Sequence, residues 1–195
     1  MEKSIASKKF GTRQIAVIGM LSAISVVLGA TGFGFIPLPM AKATVMQIPV
    51  VIGAILEGPI VGVTVGLIFG LFSIIQNLTN PSSILYFALI NPLVSVLPRM
   101  LIGVTTYYSY KIPLKNDVVK TGIAAAIGSF TNTAGVLGMI YILYAAQYAA
   151  AKNIPVSTAA AAIFGVALTN GIPEMVVCVL ITIPVVLAVR KIMKK

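Results

Sequence analysis

Long apolar stretches, separated by short clusters of glycine, proline and polar residues, dominate the chain. Three of these stretches, 14–41, 58–98 and 121–151, contain no charged residue. A helix that crosses the hydrocarbon core of a bilayer needs about 20 apolar residues. The strict alternation of apolar and polar positions that is typical of outer-membrane barrel strands is missing. The pattern therefore predicts an all-α polytopic membrane protein.

Breakers and charges divide the chain into six predicted transmembrane helices, which we assign to a single domain over residues 1–195. The second helix has a length of about 20 Å, too short to cross a bilayer alone, so we expect it to tilt or to be partly covered by protein. Pro92 and Pro98 fall inside the fourth helix, and Pro173 and Pro184 are expected to break the sixth. The predicted helices are 14–30, 44–56, 59–76, a fourth that ends near Tyr110, 121–150 and 157–189.

The positions of the basic residues predict an orientation. The flank 1–13, the loop 111–120 and the segment 190–195 contain 4, 3 and 4 of the 14 Lys and Arg residues. With six helices, these three segments lie on the same side of the membrane, and the positive-inside rule makes that side the cytoplasm. Both termini are then cytoplasmic, and the extracellular side receives the loops 31–43, 77–83 and 151–157.

The composition agrees with a membrane protein surrounded by lipid. The chain is 58% hydrophobic and 9% charged, whereas soluble domains contain about 25% charged residues. A net charge of +10 would suggest nucleic-acid binding in a soluble protein. Here the basic residues flank the membrane segments, so no nucleic-acid partner is predicted.

The first extracellular loop, 31–43, is unusually apolar. It mixes Phe33, Phe35, Ile36, Leu38 and Met40 with glycine and proline, whereas a water-exposed linker would be more polar. We therefore expect this loop to pack over another part of the protein as a lid.

Small residues repeat at helical spacing on the first and third helices. Each glycine inside a helix costs about 1 kcal/mol relative to alanine, but a row of small residues lets another helix approach closely in lipid. One hypothesis is packing within the chain, and the other is a docking face for a separate membrane subunit; the two can coexist. The residues concerned are Ala16, Gly19 and Ala23 on the first helix and Gly58, Gly62, Gly66 and Gly70 beside or on the third.

Two ionisable residues lie in the middle of apolar segments. Arg99 follows Pro98, and Glu174 follows Pro173. Charges at membrane depth are costly and are usually functional. They could pair with each other, or Arg99 could extend to the cytoplasmic interface. Alternatively, Arg99 binds an anionic substrate group with two hydrogen bonds, and Glu174 accepts hydrogen bonds from substrate hydroxyl or amide groups.

Amide side chains come from most of the predicted helices. Each could bond to a neighbouring helix, or several could converge on a polar cavity. Four of the six amides are predicted to bind substrate, together with three charged residues. The predicted substrate-binding residues are Gln47, Asn91, Asn132, Asn170, Lys42, Arg99 and Glu174. The other two are Gln76 and Asn77, and the tyrosines of the fifth helix (Tyr141, Tyr144 and Tyr148) are predicted to form an interfacial aromatic belt instead.

The chain lacks the residues that most catalytic and metal sites require. It contains no histidine and a single cysteine, Cys178, and no nucleotide-binding or metal-binding motif occurs. We therefore predict no catalytic residues, no metal and no cofactor. A polar cavity in a chain that cannot hydrolyse ATP suggests a binding subunit that takes its energy from a partner.

Four stretches carry a resemblance to a known family: "IAVIGMLSAISVVL", "IPVVIGAILEGPIVGVTVGLIFGL", "NPLVSVLPRMLIGV" and "LTNGIPEMVVCVLITIPV". The chain resembles the substrate-binding membrane subunits (S components) of energy-coupling factor (ECF) transporters, the vitamin importers of many bacteria. The resemblance implies a six-helix bundle in the bacterial plasma membrane. Its outward cavity would bind a water-soluble vitamin under a lid formed by the loops after the first and third helices.

The resemblance also implies partners. Small residues of the first helix would dock on a membrane scaffold subunit that carries two ATPase subunits. This chain has Gly19 and Ala23 in place of the family's two alanines. The glycine row of the third helix would extend that docking face.

The stretches "KATVMQIPVVIGAILEGPIVG" and "SFTNTAGVLGMIY" look most like the pantothenate-type members. Pantothenate offers one carboxylate for Arg99 or Lys42, with hydroxyl and amide groups for Asn132, Asn170 and Glu174. Riboflavin is the alternative vitamin, although Glu174 lies near where its S components usually have a lysine. A stand-alone channel or exporter and a ligand-free anchor subunit are the other hypotheses.

Overall fold

The computed structural model describes residues 11–37, 42–80 and 85–193. In these residues the chain forms α-helices and one short β-hairpin. The elements in chain order are α1 (Thr12–Thr31), β1 (Phe35–Pro37), β2 (Lys42–Thr44), α2 (Ile48–Glu57), α3 (Pro59–Thr79), α4 (Tyr86–Leu89), α5 (Pro92–Ser95), α6 (Leu97–Tyr110), α7 (Asp117–Lys152) and α8 (Ala159–Met193).

Four helices are long and apolar enough to cross a membrane. They are α1, α3, α7 and α8, the last together with the short 3-10 turn Val156–Thr158 that precedes it. The structure thus agrees with a helical, multi-pass membrane protein. The total of six spans and the cytoplasmic termini stay predictions.

The short second helix, α2, lies at the centre of the bundle. Residues 48–55 are all buried, and α2 packs against α1, α3, α6, α7 and α8. Ten residues extend only about 15 Å. Coverage by protein, one of the two expectations for this segment, explains how so short an apolar helix is accommodated.

The predicted fourth helix is not continuous. Pro92 begins α5 and Pro98 lies in the first turn of α6, positions where the missing N–H costs no hydrogen bond. The side chain of Asn91 caps α5 by accepting a hydrogen bond from the N–H of Leu93 at 2.9 Å. The prediction of one helix through both prolines was therefore wrong.

The prolines of α8 have the opposite outcome. Pro173 and Pro184 lie inside one continuous helix of 35 residues, so the predicted breaks are wrong. Membrane helices tolerate proline because neighbouring groups can satisfy the freed carbonyls. The non-helical residue in a long helix is instead Tyr144 in α7, with φ −136° and ψ 21°.

The described part of the loop 31–43 contains the two strands. Strands β1 and β2 pair antiparallel, with Phe35 opposite Thr44. The hairpin is joined to the end of α1, where the N–H of Gly34 donates to the carbonyl of Leu28 at 2.7 Å. Leu38 and Met40, which contributed to the lid prediction, lie outside the described residues.

The glycine row of α3 packs inside the chain. A Cβ at Gly62 would lie 2.7 Å from the Cβ of Ala54, and a Cβ at Gly66 would collide with the carbonyl oxygen of Arg99. A Cβ at Gly70 would lie 2.7 Å from the Cα of Val96. These three buried glycines let α3 approach α2 and the segment α5–α6 of the same chain, so they are not a surface for a separate subunit. This corrects the docking hypothesis for them.

Gly58 has a different role. It forms the turn between α2 and α3 with a φ of 105°, a conformation that favours glycine. It therefore belongs to a turn and not to a helical docking face.

The small residues of α1 contrast with that row. Ala16, Gly19 and Ala23 are exposed, and a Cβ at Gly19 would meet no atom within 4 Å. This face of α1 is free in the isolated chain.

Candidate ligand-binding site

A cavity of about 460 Å³ lies between the hairpin and helices α3, α6, α7 and α8. One side is polar, because the last turns of α3 contribute Ser73, Gln76, Asn77 and Asn80. Part of the α7 side is apolar and contains Val136, Leu137 and Ile140. The cavity can therefore hold a small molecule that has both polar groups and an apolar part.

Arg99 provides the buried positive charge of this cavity. Arg99 is only 7% exposed, and its Nη1 donates a hydrogen bond to the carbonyl of Val94 at 2.7 Å. The guanidinium carbon lies 5.5 Å from the centre of the Phe69 ring. The Nε has no hydrogen-bond partner among the described residues. The guanidinium is thus held on one side and has donor capacity left for a ligand.

Glu174 lines the same cavity but does not form an ion pair with Arg99. Its Oε1 accepts a hydrogen bond from the backbone N–H of Thr44 at 2.7 Å, and its Oε2 accepts one from the Thr133 hydroxyl at 3.0 Å. Within the described residues, the ion pair found joins Arg13 and Glu57. The hypothesis of a structural Arg99–Glu174 pair is therefore wrong. The hypothesis that Arg99 extends to the cytoplasmic interface is wrong as well, because its side chain is buried at the cavity.

Two asparagines provide hydrogen-bonding groups without protein partners. Asn132 on α7 and Asn170 on α8 both line the cavity. The side-chain oxygen of each is buried and has no partner among the described residues. A buried acceptor without a partner is costly, so a ligand with N–H or O–H groups would satisfy both.

The structure assigns two of the predicted ligand residues to contacts between helices. Gln47 is fully buried, and its Nε2 donates to the Ser129 hydroxyl at 3.4 Å, which connects α2 to α7. Asn91 caps α5 and donates to the Tyr144 hydroxyl at 2.9 Å. Neither lines the cavity. Lys42 lies in β2, but its side chain is outside the described residues.

A second concavity, of about 520 Å³, lies between α1, α2 and α8. Its walls are aliphatic except at one end, where Arg13 and Glu57 pair with each other at 2.6 Å. None of the residues that line it has a buried side-chain nitrogen or oxygen without a hydrogen-bond partner in the described structure. The smaller cavity is therefore the candidate ligand site.

Comparison with known proteins identifies the family. The sequence model for the substrate-specific component of ECF transporters matches residues 13–186. The chain belongs to this family. It is therefore the substrate-specific component of a transporter, as the resemblance implied.

Two curated relatives of this S component are named pantothenate transporters. The pantothenic acid transporter PanT of Lactococcus lactis subsp. cremoris (strain MG1363) is 29% identical over 94% of this chain and 97% of its own length. The pantothenate transporter PanT of Leuconostoc mesenteroides subsp. mesenteroides is 27% identical over 73% of this chain and 74% of its own length.

The cavity of this S component includes polar residues that the sequence analysis did not assign to it. Ser73, Gln76 and Asn77 are three and four residues apart on α3, which places them along one side of the helix, and Asn80 follows its last residue. That spacing is visible in the sequence and could have identified this wall. Thr133 and Lys152 also line the cavity. Thr133 does not stand out by residue type, and Lys152 lies in the segment that the sequence analysis assigned to an extracellular loop.

Tyr148 was assigned to an aromatic belt, but it is 1% exposed and lines the cavity of this S component. Tyr141, by contrast, is 47% exposed, as a belt residue would be. Both lie on α7, seven residues apart, which would place them on the same face of a regular helix. The non-helical residue Tyr144 lies between them and changes the direction of the chain. The belt interpretation was therefore wrong for Tyr148.

Proposed function

We propose that this S component binds pantothenate in the cavity, as the substrate-specific subunit of an ATP-driven vitamin importer. The observation that supports this most directly is the buried guanidinium of Arg99, which lines the cavity and has no carboxylate partner in the described residues. A buried guanidinium that forms no salt bridge keeps hydrogen-bond donors for an anionic ligand. The names of the two relatives support pantothenate as that anion.

The chemistry of pantothenate fits the distribution of groups around the cavity. Its carboxylate would accept charge-assisted hydrogen bonds from Arg99. Its amide and two hydroxyl groups would donate to the unpaired oxygens of Asn132 and Asn170. Its two geminal methyl groups would pack against Val136 and Ile140 on the apolar side.

The proposed arrangement in the membrane has six spans. Helices α1, α3, α7 and α8 would each cross, α2 would form the short second span, and α4, α5 and α6 together would form the fourth. The basic flanks would then face the cytoplasm of a bacterial cell. The hairpin and the outer end of α3 would place the cavity on the extracellular side, where a nutrient arrives.

The proposed partner is the membrane scaffold subunit of an ECF transporter, which would connect this chain to two ATPases. The exposed face of Ala16, Gly19 and Ala23 is the candidate contact, because small residues allow close helix packing in lipid. A leucine at Gly19 should prevent co-purification with the scaffold while leaving ligand binding intact. Gly138→Leu is the matched control, because a Cβ at Gly138 on α7 also meets no atom within 4 Å. Equal co-purification of both variants would contradict the assignment.

The ligand itself can be identified from the purified protein. We expect mass spectrometry of small molecules released from protein in mild detergent to detect pantothenate. Isothermal titration should then show saturable binding of pantothenate and none of riboflavin at the same concentration. Release of a different vitamin, or tighter binding of riboflavin, would contradict the proposal.

A further inference from the structure

We propose that Glu174 is a positioning residue that fastens the β1–β2 hairpin across the cavity and thereby slows ligand release. The effect on release rests on the proposed function, whereas the fastening itself does not. Glu174 was predicted to accept hydrogen bonds from the ligand. Its contacts point to the hairpin and the cavity wall instead.

The carboxylate of Glu174 connects three elements. Glu174 lies on α8, its Oε1 accepts the backbone N–H of Thr44 at 2.7 Å, and its Oε2 accepts the Thr133 hydroxyl on α7 at 3.0 Å. The residue is only 7% exposed, so water competes little for these bonds. Hydrogen bonds to a carboxylate are stronger than those between neutral groups.

The other hydrogen bonds of the hairpin and of the residues beside it are made to α1 and at the hairpin's own base. The N–H of Gly34 donates to the carbonyl of Leu28, the N–H of Val45 donates to the carbonyl of Gly34, and the Ser25 hydroxyl donates to the carbonyl of Met46 at 3.2 Å. The Thr44–Glu174 bond is the hydrogen bond that, among the described residues, joins the hairpin to α8. The hairpin is therefore attached on two sides, and Glu174 supplies the second attachment.

This attachment matters because the hairpin forms one wall of the cavity. Phe35 and Thr44 both line it. If the second attachment is lost, this wall can move away from α8 while its attachment to α1 persists. The ligand would then leave faster, although the groups that bind it are unchanged.

The bond donor is a backbone amide, so hydrogen exchange of that amide reports the attachment directly. The test measures residue-resolved hydrogen exchange in ligand-free protein in nanodiscs. The variant that removes the hydrogen bond is Glu174→Met, which keeps the length of the side chain but lacks the carboxylate. We expect the Thr44 amide to exchange about 10-fold faster in this variant. Amides of α2 should stay protected, which reports that the bundle is folded.

Two further variants make this readout specific. Glu174→Gln retains an acceptor oxygen and should keep the exchange rate of Thr44 within about twofold of the wild type. Thr133→Val removes only the bond on the α7 side and should also leave the Thr44 amide protected. An unchanged Thr44 amide in Glu174→Met would overturn the proposal, as would equal acceleration in Thr133→Val.

The consequence for the ligand is measured separately. Bound labelled pantothenate is chased with unlabelled ligand. It should dissociate about 10-fold faster from Glu174→Met than from the wild type, and Glu174→Gln should restore the wild-type dissociation rate. If the wild type binds no pantothenate but the Thr44 amide responds as expected, the proposed vitamin is wrong and the attachment stands. If the amide responds but the dissociation rate does not, the role in ligand release is wrong.

Discussion

Two pairs of arginine and glutamate occupy the two ends of the described bundle in different ways. Arg13 and Glu57 meet at 2.6 Å; the arginine side chain is 57% exposed and the glutamate side chain 11%. Arg99 and Glu174 are each 7% exposed and line one cavity, yet they do not pair. An ion pair with one exposed partner contributes little, whereas a buried guanidinium without a salt bridge keeps hydrogen-bond donors free. The first pair therefore has a local structural role, whereas the Arg99 guanidinium has donors that face the cavity.

The largest expected effect is the loss of the buried cation. Arg99→Gln should weaken pantothenate binding by about 2–3 kcal/mol, because it removes charge-assisted hydrogen bonds to the carboxylate. Isothermal titration measures the change. The matched control is Arg13→Gln, which should bind as tightly as the wild type. Comparable losses in the two variants would remove the distinction between the two arginines.

The next effect tests the backbone that positions Arg99. Gly66→Ala would place a methyl group against the carbonyl oxygen of Arg99 and should destabilise the protein by about 1–3 kcal/mol. Thermal unfolding in detergent measures this, with Gly19→Ala as the control because that position is open. A Gly66→Ala variant as stable as Gly19→Ala would contradict the close packing of α3 against α6.

A smaller effect is expected at the asparagine of α7. Asn132→Leu removes an unpaired acceptor from the cavity and should weaken pantothenate binding by about 1 kcal/mol. The same substitution should leave the unfolding temperature of the ligand-free protein unchanged or higher, since a buried polar group without a partner is lost. Unchanged affinity would show that the ligand does not contact Asn132.

The smallest effect concerns the pair of Arg13 and Glu57, in which the arginine is largely exposed. Glu57→Gln should change the unfolding free energy by about 0–1 kcal/mol and leave ligand affinity unchanged. Raising the salt concentration should shrink even this difference, because exposed charges are screened. A large loss of ligand affinity in Glu57→Gln would mean that the two ends of the bundle are energetically coupled.

Sequence reasoning identified the charged part of the site because ionisable residues are rare in apolar segments. Arg99 and Glu174 stand out in this way, Asn132 and Asn170 stand out as polar amides, and all four line the cavity. Gln47 and Asn91 have the same appearance in the sequence but connect helices. Gln47 and Asn91 immediately precede α2 and α5, whereas the four cavity residues lie within helices. A few polar residues do not specify where a helix begins.

The remaining differences have equally local causes. A row of small residues has the same sequence signature whether it packs inside the chain, as Gly62 and Gly66 do, or faces outward, as Gly19 does. Strands of three residues, such as β1 and β2, are too short to show a period. Prolines mark a boundary at Pro92 but not at Pro173, because membrane helices accommodate proline when neighbours satisfy the backbone.

The most direct test of the account compares two ligands that differ in charge. Pantothenol has an alcohol in place of the pantothenate carboxylate, and titration of both into wild type and Arg99→Gln isolates the interaction of that carboxylate with Arg99. The account predicts that the wild type prefers pantothenate by about 30- to 150-fold and that Arg99→Gln loses this preference. An equal preference for pantothenate in both proteins would contradict the assignment of Arg99 as the receptor of the ligand anion.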